Sequence, residues 1–177
     1  SAPKPSTPAA TDQVRSSGSG FFVSFGGHVA TNAHVIDECG SVSIVGYGRA
    51  DLLRVDTAND LAVLRIAEET VSRPLLFAAE TPRLGADIVA LGFPLGTLMG
   101  DALTVTGGNV ASLTGIGGDA RFLQITAPVQ PGNSGGPLLD RRGALIGIVS
   151  SRLNDAATYE VSGALPQNVN FAVRLPL

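Results

Sequence analysis

The amino-acid sequence predicts an all-β fold, and two observations carry that expectation. Short apolar runs alternate with Gly, Asp and Asn at intervals of about ten residues, the rhythm of a β-barrel or β-sandwich. Composition agrees: 22 glycines and 11 prolines, with no tryptophan, suit a turn-rich β protein better than a helical bundle. The 177 residues are enough to bury a real core, as one domain or as two closely packed halves.

Residues 1–13 (SAPKPSTPAATDQ) hold hardly any bulky apolar group with which to offset the entropy of ordering. They are expected to form a flexible arm, either a tether to a further domain or anchor or a plain tail. From Ser16 onward the strands follow one another. Phe21–Phe25 and Val29–Thr31 flank the turn residues Gly26-Gly27. Val42–Val45, Leu52–Val55 and Leu61–Ile66 come next, then Ile88–Leu91, Leu103–Thr106 and Asn109–Leu113. Phe122–Thr126, Pro137–Leu139, Ala144–Ser150 and Asn168–Val173 complete the set. Between two of these, Asp140-Arg141-Arg142-Gly143 reads as a hairpin turn with Gly143 at positive φ. Only His34–Glu38 and Thr97–Asp101 suggest helical turns.

The net charge of −3, with 15% charged and 44% hydrophobic residues, offers no electrostatic footprint for nucleic acid and no basic face for anionic membranes. No apolar run approaches the roughly 20 residues of a membrane helix, and the N-terminus lacks the charged-then-apolar pattern of a signal peptide. The single cysteine, Cys39, cannot form an internal disulfide and is expected to pack as a small hydrophobe.

Three motifs carry chemistry. In Pro131-Gly132-Asn133-Ser134-Gly135-Gly136-Pro137-Leu138, glycines on both sides of Ser134 permit a sharp turn and leave room for a carbonyl beside the hydroxyl. The amides of Gly132 and Ser134, with Asn133 holding the loop between them, can then converge on a developing oxyanion. In Ala30-Thr31-Asn32-Ala33-His34-Val35, His34 follows a strand end where a side chain can be aimed inward. The other histidine, His28, reads as part of an exposed hairpin. In Asn59-Asp60-Leu61-Ala62-Val63-Leu64, Asp60 leads into a buried strand and can accept the Nδ1 proton of His34. Asp56, its competitor, ends the preceding strand facing solvent. Each motif has a plainer reading alone: a glycine-rich turn, a core histidine, a turn-forming aspartate. Jointly those readings require three coincidences. Gly132–Gly136 also fits the G-x-S-x-G pattern of α/β-hydrolases, but that family places its histidine after the serine, and none follows Ser134. The order His34, Asp60, Ser134 is that of chymotrypsin-type enzymes.

With these residues in hand, the sequence resembles the trypsin/chymotrypsin superfamily and, within it, the bacterial HtrA/Deg protease domain. The likeness runs from Gly18 to Val173 through Gly18-Ser19-Gly20-Phe21-Phe22-Val23, Thr31–Val35, Asp60–Leu64, Ala90-Leu91-Gly92-Phe93-Pro94-Leu95-Gly96, Gly132–Leu138 and Asn170-Phe171-Ala172-Val173. It implies two six-stranded Greek-key β-barrels with the active site between them, the first over about 14–100 and the second over about 101–177. It also implies a serine endopeptidase of protein quality control or processing, in the periplasm or outside the cell. Such an enzyme acts on polypeptides and needs no metal or organic cofactor. HtrA/Deg proteins usually carry PDZ domains after the protease, so a PDZ or anchor domain beyond this chain is expected. Val35 stands where digestive members have a disulfide cysteine. Asn133 stands where zymogens have the aspartate that pairs with a new N-terminus, so order in the oxyanion loop must come from packing, a ligand or a partner. The primary pocket is expected to be lined by Pro128 and Val129, by Ser150, Ser151 and Arg152, and by Asn170 and Ala172. The substrate backbone would pair along Ser150–Arg152. Pro128 occupies the position six residues before the serine where trypsin-like members have an aspartate, which argues against Lys or Arg and for a small or medium aliphatic residue. The alternative is a latent protease-like module that captures extended peptides without cutting them; a serine esterase is a weaker third reading.

Overall fold

The computed structural model describes residues 16–66, 73–94, 102–151 and 169–175. The strands are β1 (Phe21–Phe22), β2 (His28–Thr31), β3 (Val42–Ile44), β4 (Gly48–Asp56), β5 (Leu61–Ile66), β6 (Asp87–Gly92), β7 (Thr104–Ser112), β8 (Phe122–Ile125), β9 (Pro137–Asp140), β10 (Leu145–Ser150) and β11 (Asn170–Arg174). Two 3₁₀ turns, Ala33–Val35 and Ile116–Gly118, are the helical elements among the described residues. No described helix is long and apolar enough to cross a membrane.

The strands form two sheets. β1-β2-β5-β4-β3 make a curled sheet of five, and β10-β11-β8-β7-β6-β9 close into a six-stranded barrel. Within the barrel β6, β7 and β8 are consecutive neighbours and β9 returns beside β6, the Greek-key order. The chymotrypsin-like double-barrel architecture is therefore present, with five strands rather than six in the first half among the described residues. The passage between halves comes earlier than residue 100. β6 is already a barrel strand, and the chain crosses near Leu75–Ala78, where the Leu75 amide donates to Phe22 and the Ala78 amide to Leu145. The Ile88–Leu91 run belongs to the barrel because Ile88 and Ala90 point into its interior.

Three apolar clusters hold this arrangement. One fills the closed barrel around Ile88, Val110, Leu123, Ile125 and Leu138. Another lies under the first sheet, around Val29, Leu64 and Ile66. The third joins the halves, packing Phe21 and Ala30 against Phe122, Leu139, Leu145, Ile148 and Val173. Such burial is non-directional and scales with the apolar area removed from water, so this seam holds the two sheets against each other.

The strands read as Leu103–Thr106 and Asn109–Leu113 are one strand, β7. Gly107 and Gly108 look like a break in the pattern, but a Cβ on Gly108 would stand 2.3 Å from the Ala127 amide nitrogen. Glycine marks a close backbone approach here, not a turn. The hairpin at Asp140–Gly143 forms as expected, with Gly143 at φ 79° and the Asp140 carboxylate accepting from the Arg142 and Ala144 amides. Cys39 is a half-buried free thiol. The 1–13 arm and the Thr97–Asp101 turn lie outside the described residues.

Candidate active site

His34 sits in the 3₁₀ turn that follows β2, and Asp60 in the tight turn between β4 and β5. β2 and β5 are paired neighbours, with Thr31 opposite Ala62, so these two turns leave the same end of the sheet. The His34 Nδ1–H donates to the Asp60 carboxylate, at 2.8 Å from Oδ2 and 3.0 Å from Oδ1. The His34 amide also donates to Oδ1 at 3.0 Å, and Ser150 Oγ donates to Oδ2 at 3.2 Å. Burial pushes the Asp60 carboxyl up, but the donors from His34 and Ser150 outweigh it and hold the group below the ordinary carboxylate value. A carboxylate on Nδ1 leaves Nε2 as the acceptor nitrogen of a neutral ring. The Asp60 backbone is left-handed at φ 54°, and the fully buried Asn32 secures it by donating Nδ2–H to the Asp60 carbonyl at 2.9 Å.

The competitors fall away on position. Asp56 ends β4 exposed to solvent, with its carboxylate occupied by the Asn59 side chain and amide. His28 begins β2 beside the first hairpin, where its Nδ1 meets Ser24 Oγ.

Ser134 comes from the other half, in the loop between β8 and β9. Gly132 at φ 96° and Gly135 at φ 86° give the loop its reversal. A Cβ on Gly135 would lie 2.2 Å from both the Ser19 carbonyl and Thr31 Oγ1, so the loop packs directly on the first sheet. The Asn133 amide donates to Gln130 O, the Gly135 amide to Val149 O and the Gly136 amide to Asn133 O. The amides of Gly132 and Ser134 have no acceptor among the described residues. Two free donors flanking a bonded Asn133 are what an oxyanion requires. Asn133 is buried, and its Oδ1 has no partner among the described residues.

The Ser134 hydroxyl is not hydrogen-bonded to His34. It meets Ser151 Oγ at 2.5 Å and accepts from the Ser151 amide at 2.9 Å. Asp60 reaches that neighbourhood through Ser150, the residue next to Ser151, so hydrogen bonds and one peptide link join the His34–Asp60 pair to Ser134 where the two sheets meet.

This constellation of fold and site has a family. The model for the trypsin-like peptidase domain matches residues 18–148. The chain belongs to the trypsin-like peptidase family. It is similar to the uncharacterized protein y4bJ of Sinorhizobium fredii, at 46% identity over 96% of this chain and 28% of that protein. It is also similar to the probable periplasmic serine endoprotease DegP-like of Bartonella henselae, at 36% identity over 90% of this chain and 31% of the relative. Among solved structures, the serine endoprotease of Yersinia pestis superposes with TM-score 0.72 at 32% identity, covering 93% of this chain and 55% of that one. The chain thus spans about a third of the length of these curated relatives.

In this trypsin-like peptidase domain the residues expected to bind substrate lie in different settings. Ser151 is half-buried beside the Ser134 hydroxyl, whereas Ser150 is buried, with its hydroxyl on Asp60, and offers no open surface. On the β9 side of β10, pairing ends where Val149 bonds Gly135 and Gly136, so no strand covers Ser150 and Ser151 there among the described residues. Val129 is half-buried against the barrel core, Pro128 is exposed, and Asn170 is buried with Nδ2–H donated to Ala127 O. Ala172 corrects the expectation. It has no accessible surface and packs in the barrel core, its register partners being Val149 and Leu123, so it forms no open wall. Arg152 lies outside the described residues. Sequence reasoning gave no role to Asn32 or Ser19; the available signal was a polar residue set in an apolar or glycine-flanked run.

Proposed function

We propose that this domain is a serine endopeptidase in which Ser134 is the nucleophile, His34 the general base and Asp60 the group that orients the base and stabilises its protonated form. The observation that carries this reading is the doubly bonded His34–Asp60 pair, linked through Ser150 and Ser151 to a serine in whose loop the Gly132 and Ser134 amides have no acceptor among the described residues. In the reaction Ser134 Oγ turns from Ser151 toward His34 Nε2, gives up its proton and attacks the peptide carbonyl. The tetrahedral oxyanion takes hydrogen bonds from the Gly132 and Ser134 amides. Losing one such donor typically costs about 3–4 kcal/mol, or roughly 10²–10³ in rate. His34 then protonates the leaving amine, and water, activated by the same histidine, releases the acyl group. Extended substrate would lie along Ser150–Ser151, with a small or medium aliphatic side chain preferred. The Bartonella henselae relative is named a probable periplasmic serine endoprotease, which supports work on polypeptides in quality control or processing outside the cytoplasm.

A second reading is favoured by one observation. With the Ser134 hydroxyl on Ser151 instead of His34, the same site describes a latent module that holds extended peptides uncut. A fluorophosphonate probe separates the two. The proposed protease takes up one adduct on Ser134, read by intact mass and peptide mapping, and Ser134→Ala takes up none and loses turnover. An unlabelled wild-type protein that still binds peptides would establish the latent module instead.

A further inference from the structure

Ser19 is not among the reacting groups, yet each of its polar atoms is engaged around the loop that carries them. Its amide donates to the Ser134 carbonyl at 2.8 Å, and its hydroxyl donates to the Gly132 carbonyl at 2.6 Å. The same hydroxyl accepts from the Phe93 amide at 2.9 Å, and its carbonyl accepts from Thr31 Oγ1 at 2.7 Å. The proton's place follows from chemistry. An amide N–H only donates and a carbonyl only accepts, so the Ser19 proton must lie on the Gly132 side.

That bond falls where the loop has least restraint of its own. Gly132 has a free amide and a left-handed backbone, and glycine has the widest conformational choice of any residue. The peptide plane joining Gly132 to Asn133 is held at two points, its carbonyl by Ser19 and its amide by Gln130. The next plane is held by Gly136 on the Asn133 carbonyl, and beyond it the Ser134 carbonyl returns to the Ser19 amide. Asn133 carries no charge with which to anchor the loop, and its buried Oδ1 bonds nothing among the described residues. Ser19 is itself buried, and a Cβ on Gly92 would stand 3.0 Å from its hydroxyl, so the hydroxyl is closely packed.

We propose that Ser19 is the positioning residue of the oxyanion hole: its hydroxyl locks the Gly132–Asn133 peptide so that the Gly132 and Ser134 amides stay turned to the reacting carbonyl. This rests on the protease reading. It assigns to one internal side chain the ordering that the neutral Asn133 does not supply.

The test counts competent sites by active-site titration and reports kcat per titrated site. For Ser19→Ala the expected result is a roughly 10- to 100-fold fall in kcat, somewhat below outright loss of a donor, with KM within about twofold. Affinity for a peptide boronic acid, which forms a tetrahedral adduct, should fall by the same factor as kcat/KM. A merely structural role would lower the titrated fraction and the melting temperature while leaving kcat per site intact. Ser19→Thr and Ser19→Val, nearly equal in shape, isolate the hydroxyl should the alanine variant fold poorly, and Thr should exceed Val by a similar factor. Equal rates for that pair, or an unchanged per-site kcat in Ser19→Ala, would overturn the proposal. Fluorophosphonate labelling of the unaltered domain judges the protease reading separately. A labelled wild type with unimpaired Ser19 variants removes only the role of Ser19.

Discussion

For the proposed reaction Ser134 must first exchange partners, because two hydrogen bonds tie its oxygen to Ser151. One comes from the backbone and survives mutation; the other belongs to the Ser151 hydroxyl. A neutral hydrogen bond is worth about 0.5–1.5 kcal/mol net, so removing the hydroxyl should shift the equilibrium toward His34 by roughly 2- to 12-fold. Ser151→Ala is therefore expected to react with fluorophosphonate faster than wild type by a factor in that range. Slower labelling, followed as adduct mass against time, would mean that Ser151 assists the nucleophile. At this scale the sequence was legible where a residue type is demanded by chemistry and opaque where a rotamer decides. His34 and Asp60 pair as expected because only a buried acid beside the base satisfies both. The turn of Ser134 toward Ser151 depends on one χ angle, which no residue pattern encodes. Ala172 was misjudged for a related reason: its place in a strand was clear, but not which side of the strand faced the barrel interior.

Elements were legible wherever alternation or a continuous apolar run marked a strand, as at β5, whose limits fall at Leu61 and Ile66 as read. The failure at β7 is instructive because glycine has two opposite meanings in a strand. Gly107 and Gly108 are adjacent and both lie in β7, yet a Cβ would find open space at the first and the Ala127 backbone at the second. Gly108→Ala should therefore destabilise the barrel by roughly 1–3 kcal/mol or more, the usual cost of overpacking, whereas Gly107→Ala should leave stability nearly unchanged. Urea midpoints at constant m-value would measure the contrast. Equal effects would mean that the strand interior yields more easily than its close packing implies.

Across the whole molecule, the site exists only where the two halves meet. His34 and Asp60 belong to the five-stranded sheet, Ser134 and Ser150 to the barrel side, and the seam around Phe21, Phe122 and Ile148 keeps them in register. Asp60 takes part in that junction through Ser150 as well as in the proposed chemistry. Its carboxyl lies below the ordinary value of 3.8 in the folded state, so its contribution to stability is fully present above that pH. The contribution is lost as pH falls through the lowered folded value. The melting-temperature advantage of wild type over Asp60→Asn should accordingly be steady just above pH 3.8 and shrink below it. An advantage that persists unchanged in stronger acid would show that the charge contributes nothing to the junction. The left-handed backbone at Asp60 adds a consequence for descent. Glycine, asparagine and aspartate are the residues most at ease at such a φ, and Asn and Gly are each one base change from Asp. The mutations nearest to hand at this position would thus silence the proposed chemistry while sparing the chain's shape. Inactive descendants of this domain should arise readily as well-folded proteins, and should carry Asn or Gly at position 60 more often than Glu.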